Sequence, residues 1–524
     1  MLKKIRIKNL RSLIDTGEID LKPLTLLVGK NSSGKSTFLR FFPLMKQTLE
    51  TRTYDPILWY SSRYVDFGSY KESVNKKNSE SIDFEFSFSV PRDYFYELTP
   101  IFVMRYRGGY SRRRATDKGK GPYHIKVCIT CKEKYIEQIK VEFENHTFQI
   151  FLKSKEKLGK LIINDIEFEN NQFGLNYLAD SSSMLPRLVS KQSEKGIPID
   201  EHFSNELVLL LKKYAHSKTS LETIYSIIEE IQFGKSEEIL ESLLKGVDSQ
   251  RRLKETFKDI TKDSSIFKNI ENLVIGKHIN PILIFLNFYL QNCFSRVNYI
   301  GPIRARAERY YRIQGLSVDE IDPQGENIPM ILHNMTDKEK SEFSEWTSKH
   351  FGFEITTQLE GGHTSLRIKY NSSPEEMNLA DTGFGHSQIL PIILLFWKVL
   401  KFNKPNRYVS SYTRPTIHIL VIEQPELHLH PALQARLIDT LINILVYSIG
   451  KIDIKVLIET HSETIINRIG QLLSQKIDGF KNDIVNVMIF NKQDSFDSTV
   501  EVTGYNEQGY LLSWPIGFFS PEDF

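Results

Sequence analysis

The chain has 524 residues, and its 68 basic against 65 acidic side chains leave a net charge of only +3. That balance excludes a protein that binds polyanions over its whole surface, so any nucleic-acid contact must come from a local patch. Three cysteines, Cys128, Cys131 and Cys293, are too few for a disulfide framework and suit a reducing cytosol. The N-terminal MLKKIRIKNL lacks the apolar stretch of a signal peptide, and the longest apolar runs, Ile282 to Leu290 and Pro391 to Trp397, are too short to cross a bilayer.

In chain order, Ile5, Ile7 and Leu10 alternate roughly, and LIDTGEIDLKPLTLLVG predicts two strands feeding a polar loop. From Leu24 to Arg40 the chain reads LTLLVGKNSSGKSTFLR. The apolar run stops at Gly29, the loop Lys30, Asn31, Ser32, Ser33 follows, and Gly34, Lys35, Ser36 and Thr37 open an apolar-periodic helix. This spacing matches G-x-x-x-x-G-K-[ST], in which successive backbone N–H groups wrap phosphates at the positive end of a helix. Lys35 is placed to meet the β- and γ-phosphates of ATP, and the Ser36 hydroxyl to take one coordination position on Mg²⁺. Pro43 is expected to interrupt the helix that follows.

Ser81 to Val90, SIDFEFSFSV, alternates strictly and predicts a half-buried antiparallel strand. Similar patterns around His124 to Cys131, Ile139 to Phe151 and Leu161 to Phe168 extend it to an antiparallel layer, in which Cys128 and Cys131 read as structural. Between them, RYRGGYSRRRATDKGK sets Arg105, Arg107, Arg112, Arg113, Arg114, Lys118 and Lys120 against the single acid Asp117, with Tyr106 and Tyr110 interleaved. Such a loop can neutralise backbone phosphates and stack unpaired bases, and it can equally be a solvated hairpin tip. From about His202 to Leu290 the spacing becomes helical. Asn298 to Arg312, NYIGPIRARAERYYR, then runs from a strand into a basic segment whose Arg304, Arg306, Arg309 and Arg312 can meet phosphate or acidic partners, although each taken singly reads as part of a solvated helix face.

Three later blocks bear on chemistry. NLADTGFGHSQILPIILLFW places Gly383 and Gly385 before Ser387 and Gln388 at the start of an apolar helix, a second anion-facing end that in isolation reads as a capped helix. IHILVIEQPELHLHP ends an apolar strand in Glu423, an acid suited to Mg²⁺, with Gln424 where a general base or water-orienting group is expected. KVLIETHSETII ends a second buried run at Thr460-His461, where a strand-end histidine can meet a γ-phosphate.

In this order the motifs resemble the ATP-binding-cassette class of ATPases, in the branch with SMC-like and OLD-family heads. Gly29 to Ser36 looks like its Walker A, GFGHSQ its signature motif, VIEQPELHLHP its Walker B and D-loop, and ETHSE its H-loop. The resemblance implies an α/β fold, an ABC-type P-loop NTPase head with an antiparallel β layer and a helical insertion. The corresponding divisions are 1–175, 176–294 and 295–524. It also implies a head-to-tail homodimer or a higher assembly of dimers, with Gly385 and Ser387 acting in trans and Lys35, Ser36, Glu423 and His461 in cis.

Two departures stand out. The Walker B Asp-Glu pair reads Glu423-Gln424, and an amide cannot take a proton as a carboxylate can, so hydrolysis is expected to be slow or to use Glu426, His428 or His430. A Q-loop glutamine is not evident, and Asp66-Phe67-Gly68-Ser69 occupies that region. The stretch after His461 holds no acidic cluster of the TOPRIM nuclease kind, so an in-chain nuclease is not expected. With EQPELHLHP and WPIGFF, the chain is similar to the PtuA-type ATPases of Septu and retron-associated anti-phage systems. That likeness implies a cytosolic ATPase assembled with a separate HNH-type nuclease, and in the retron version with reverse transcriptase and its DNA product. The alternative is an SMC-like module that clamps DNA.

Overall fold

The computed structural model describes residues 2–92, 95, 121–169, 173–176, 183–191, 196–313, 315, 318–402, 417–494 and 496–514. The arginine-rich loop, with Arg105, Arg107, Arg112, Arg113 and Arg114, lies outside the described residues, as does the tail beyond Trp514. The chain forms two compact units. One comprises Met1–Arg6, Leu49–Pro56 and Glu80–Gln291; the other comprises Ile7–Thr48, Ile57–Ser79 and Asn292–Phe524.

The first unit is built on an antiparallel meander in which Ile82–Val90, Tyr123–Cys131, Ile136–Phe143, His146–Ser154 and Lys157–Ile163 pair in succession. The alternation seen in the sequence has the expected cause: Ile82, Phe84, Phe86, Phe88 and Val90 are all buried, with less buried polar residues between most of them. Helical Tyr289 stands 5.0 Å from strand Phe88, and Phe233, in the connection between two helices, stands 4.3 Å from strand Phe143, ring centre to ring centre. Strands and helices that the sequence pattern separates therefore share one core.

The helix Ser265–Phe294 has 30 residues and is the one described helix long and apolar enough, by length and composition, to cross a membrane. It is a continuous element rather than the short run Ile282 to Leu290, and 72% of its apolar window is buried within the protein. Its polar residues have partners: Asn280 exchanges hydrogen bonds with the backbone of Leu188, and Asn287 with that of Leu185.

The second unit holds the parallel strands. Leu24–Gly29 lies between Val485–Asp494 and Asp453–Glu459, and the latter is flanked in turn by Ile417–Glu423 and then Val297–Ile300. All of these pairings are parallel, and all six residues of Leu24–Gly29 are buried. Strands covered on both faces read as continuous apolar runs for this reason, and burying each Leu, Ile or Val is worth roughly 1.5–3 kcal/mol. The parallel arrangement brings Gly29, Glu423 and Glu459 to the same, carboxyl edge, where α/β sheets gather their ligand loops.

The helix Lys35–Glu50 runs through Pro43 rather than stopping there. Phe41, Phe42, Leu44 and Met45 are fully buried on either side of the proline, and packing of this extent outweighs the lost backbone hydrogen bond. A second, antiparallel sheet, with Phe353–Glu360 against His363–Tyr370 and Glu376–Asn378, leads into the helix Phe384–Phe402.

Candidate nucleotide site

The strand Leu24–Gly29 delivers the loop, and the loop depends on its first glycine. Gly29 has φ +145°, and a Cβ there would stand 2.3 Å from the Phe490 carbonyl oxygen of the neighbouring strand. Only glycine allows that approach. After the turn, the helix begins at Lys35, so its first-turn N–H groups lack partners within the helix, and residues 31–37 line one cleft.

Lys35 is 3% exposed, and its ammonium donates to the carbonyls of Gly29 at 2.9 Å and Lys30 at 2.8 Å, which pins it beneath the loop. Burial pushes its pKa down, and the carboxylates of Glu459 and Glu426 oppose that shift. The Ser36 hydroxyl lies 2.8 and 3.0 Å from the two carboxylate oxygens of Glu459, which itself lies 4.0 Å from the Lys35 ammonium. Glu459 is raised to about 6, first by burial and then by the charge of Glu423, against the opposing pull of Ser36, Lys35 and Arg40.

Glu459 is the residue that sequence reasoning passed over. It ends the run KVLIE in register with Glu423, and the two strands are direct neighbours. The sequence assigns the metal carboxylate to Glu423, but in the structure that side chain is otherwise engaged. Arg40, one turn along the helix from Ser36, grips it with two bonds at 2.7 and 2.8 Å, and the Tyr299 hydroxyl donates a third at 2.7 Å. Ser36 with Glu459 is an oxygen pair that would suit a hard cation, because Mg²⁺ takes one or two protein oxygens and completes its octahedron with water and phosphate. No group of three or more His, Cys, Asp or Glu residues suited to a metal is found among the described residues.

The turn after Glu423 carries the other candidates. Gln424 sits at φ +43°, its N–H donating to the Glu459 carbonyl at 2.8 Å. Glu426 accepts from the His461 N–H at 2.7 Å and is raised by burial. His461 is lowered to about 4 by burial and by Lys35, so its imidazole is neutral at pH 7. A cleft of about 510 Å³ is lined by residues 31–37 together with Gln424, Glu459 and His461, and also by Arg11, Glu72, Lys76 and Phe496. Among the described residues, Glu426, His428 and His430 do not line it. His430 caps the helix Pro431–Ser448 through its ring, and the exposed His428 ring lies 5.9 Å from that of Phe384.

The glycine–serine loop stands elsewhere. The helix starts at Phe384, and Ser387 is its fourth residue rather than its cap. The Ser387 hydroxyl donates back to the Phe384 carbonyl at 2.9 Å, the local bond that short hydroxyl side chains make inside helices. A Cβ at Gly385 would stand 3.0 Å from the His428 carbonyl, which brings this loop close to the turn after Gln424. The Gln388 amide donates to the Arg304 carbonyl at 3.1 Å. None of Gly383, Gly385, Ser387 and Gln388 lines the cleft around Lys35.

A lysine-bearing glycine loop, a hydroxyl paired with a carboxylate and a strand-end histidine at one edge of a parallel sheet define a P-loop nucleotide site. The chain belongs to the AAA ATPase domain family, AAA_15, whose model matches residues 1–466. No curated protein matches it. Among solved structures it is similar to an Smc head bound to the C-terminal winged-helix domain of ScpA, at 9% identity and TM-score 0.38 over 96% of this chain and 98% of that one. Also similar is the Pyrococcus furiosus Smc head with an extended coiled coil, bound to the C-terminal domain of ScpA, at 11% identity and TM-score 0.35 over 96% of each chain. The SMC head of Thermotoga maritima matches at 11% identity and TM-score 0.33, over 95% of this chain and 98% of that one.

Proposed function

We propose that this ATPase binds MgATP on Lys35, Ser36 and Glu459 and works as a nucleotide-dependent dimer of the ABC type. In this reading it gates a separate HNH-type nuclease in a cytosolic anti-phage complex of the PtuA kind. The observation that supports the nucleotide chemistry most directly is the triad of Lys35, Ser36 and Glu459 at the mouth of the loop. Lys35 neutralises phosphate charge, and the loop N–H groups orient it. Ser36 and Glu459 would hold Mg²⁺, which supplies charge neutralisation between the outer phosphates. Gln424 can orient a water through its amide but cannot deprotonate it, so turnover is slow and occupancy carries much of the signal.

Dimerisation is supported by the position of Ser387 and Gly385. They lie outside the cleft of their own chain, so the phosphate for them to meet is that of a second copy. The gating role rests on the EQPELHLHP wording. Size-exclusion chromatography of the chain with and without MgATP and with the neighbouring gene products tests both claims. A shift to a dimer with ATP, lost in Lys35→Ala, and stable co-elution with an HNH protein are expected. Retention of duplex DNA with ATP and without a protein partner would favour a DNA clamp instead.

A further inference from the structure

Arg304 follows the strand Val297–Ile300 and is only 4% exposed, a depth that a guanidinium normally reaches with a carboxylate directly bound. Its contacts are of another kind. Nη2 donates to the carbonyl oxygens of Glu423 at 2.6 Å and of Gln424 at 3.3 Å. Nε and Nη1 have no hydrogen-bond partner among the described residues. Unmet donors in an interior destabilise the fold, so packing alone does not account for an arginine here. Burial lowers it to about 10, with Glu426 and then Glu423 opposing, which leaves the cation charged at neutral pH.

The two carbonyls belong to the turn in which Gln424 adopts φ +43°, a left-handed conformation unfavourable for a residue with a Cβ. Something must hold that turn, and the Gln424 N–H bond to the Glu459 carbonyl is one restraint. The Leu427 N–H, donating to the Gln424 carbonyl at 3.3 Å, is a second, and Arg304 supplies a third. Its own carbonyl accepts from Gln388, on the helix that carries the glycine–serine loop. Hydrogen bonds thus pass from that helix through Arg304 to the turn, and on to the strand whose last side chain meets Ser36.

We propose that Arg304 is a positioning residue, which holds Gln424 in its turn through the Glu423 and Gln424 carbonyls and couples that turn to the helix Phe384–Phe402 through Gln388. The proposal rests on the nucleotide-site reading above. Whatever engages the glycine–serine loop then acts on the water-orienting amide through this link.

The test compares the full chain with Arg304→Ala, Arg304→Lys, Gln388→Ala and the double variant Arg304→Ala/Gln388→Ala. MgATP affinity, phosphate release and hydrogen exchange of the Gln424 amide are measured on each. Arg304→Ala should hold MgATP affinity within about threefold, slow phosphate release about tenfold and speed the Gln424 exchange. Arg304→Lys should restore part of both, because it keeps the charge and one donor. Adding Gln388→Ala to Arg304→Ala should change nothing further, since both act along one path. Multiplicative effects of the two substitutions, or an unchanged Gln424 exchange in Arg304→Ala, would overturn the proposal. If Arg304→Ala fails to fold, Arg304→Lys and Gln388→Ala decide the question by the same exchange. If the parent chain itself fails to bind MgATP, the nucleotide-site reading falls, while the exchange measurement still decides the role of Arg304.

Discussion

Glu423 and Glu459 end adjacent parallel strands in the same register, yet their surroundings make them different groups. Glu423 is clasped by a bidentate guanidinium and a phenol, three hydrogen bonds that occupy most of its acceptor positions and fix the first turns of the phosphate-loop helix to the sheet. Among the described residues, Glu459 accepts a side-chain hydrogen bond from the Ser36 hydroxyl and has Lys35 at the limit of an ion pair, and burial raises it to about 6. A carboxylate placed like Glu459 would be the better suited to a cation, whereas one clasped by a guanidinium, like Glu423, ties strand to helix. Neighbours, not residue type, set the division of labour.

The largest expected effect removes the cation that stands beside Glu459. Lys35→Ala deletes the ammonium that faces the loop carbonyls and Glu459, and ATP affinity should fall about 100-fold or more by equilibrium titration. Unchanged affinity would mean that the loop is not the phosphate site, and the contrast between the acids would lose its functional meaning.

Glu459→Gln and Glu423→Gln should then separate. For Glu459→Gln, the Mg²⁺ dependence of ATP binding should weaken about tenfold or more, because an amide is a poor substitute for a carboxylate on a hard cation. In the parent chain, the Glu459 proton competes with the metal below about pH 6, so apparent Mg²⁺ affinity should drop as pH falls from 7 to 5. The same raised pKa favours the folded state at low pH, a contribution lost as pH rises through about 6. Glu459→Gln should therefore melt slightly higher than the parent at pH 7.5 while binding MgATP worse. A lower melting temperature together with intact Mg²⁺ dependence would assign Glu459 to the scaffold.

Glu423→Gln should do the reverse. It leaves Arg40 without its anion and should cost about 2–3 kcal/mol in chemical denaturation, with MgATP affinity of the folded protein nearly unchanged. Loss of Mg²⁺ dependence without loss of stability would return the metal role to Glu423.

This contrast also marks the limit of what the sequence makes legible. The phosphate loop is readable because its spacing is local: Gly29, Gly34, Lys35 and Ser36 lie within eight consecutive positions, even though the close approach that demands a glycine at 29 is to Phe490 of the neighbouring strand. The apolar strands are readable from composition. Which acid meets Ser36 is not, because that depends on spatial strand order. The strand Asp453–Glu459 inserts between Leu24–Gly29 and Ile417–Glu423, so the later acid in the chain is the nearer one. Arg40, Tyr299 and Arg304 were likewise hidden, since each acts on a residue more than a hundred positions away. Ser387 shows the opposite failure: a serine near a helix start looks like a cap, and only the backbone path shows that the helix has already begun at Phe384.

The smallest effect probes the turn between the two acids. Gln424 lines the cleft beside Glu459 and His461, and its main chain is held at φ +43° by bonds that do not involve its side chain. Gln424→Glu should therefore keep the turn and add a proton acceptor at the cleft surface. The new carboxylate would lie at the cleft surface beside Glu459, whose charge raises its pKa toward the working pH of a general base. Phosphate release should rise several-fold, more at pH 8 than at pH 6, with MgATP affinity little changed. No gain at either pH would place the limiting step elsewhere and leave Gln424 as a water-orienting amide. A gain that Glu459→Gln abolishes would show that the two strand ends act on one phosphate.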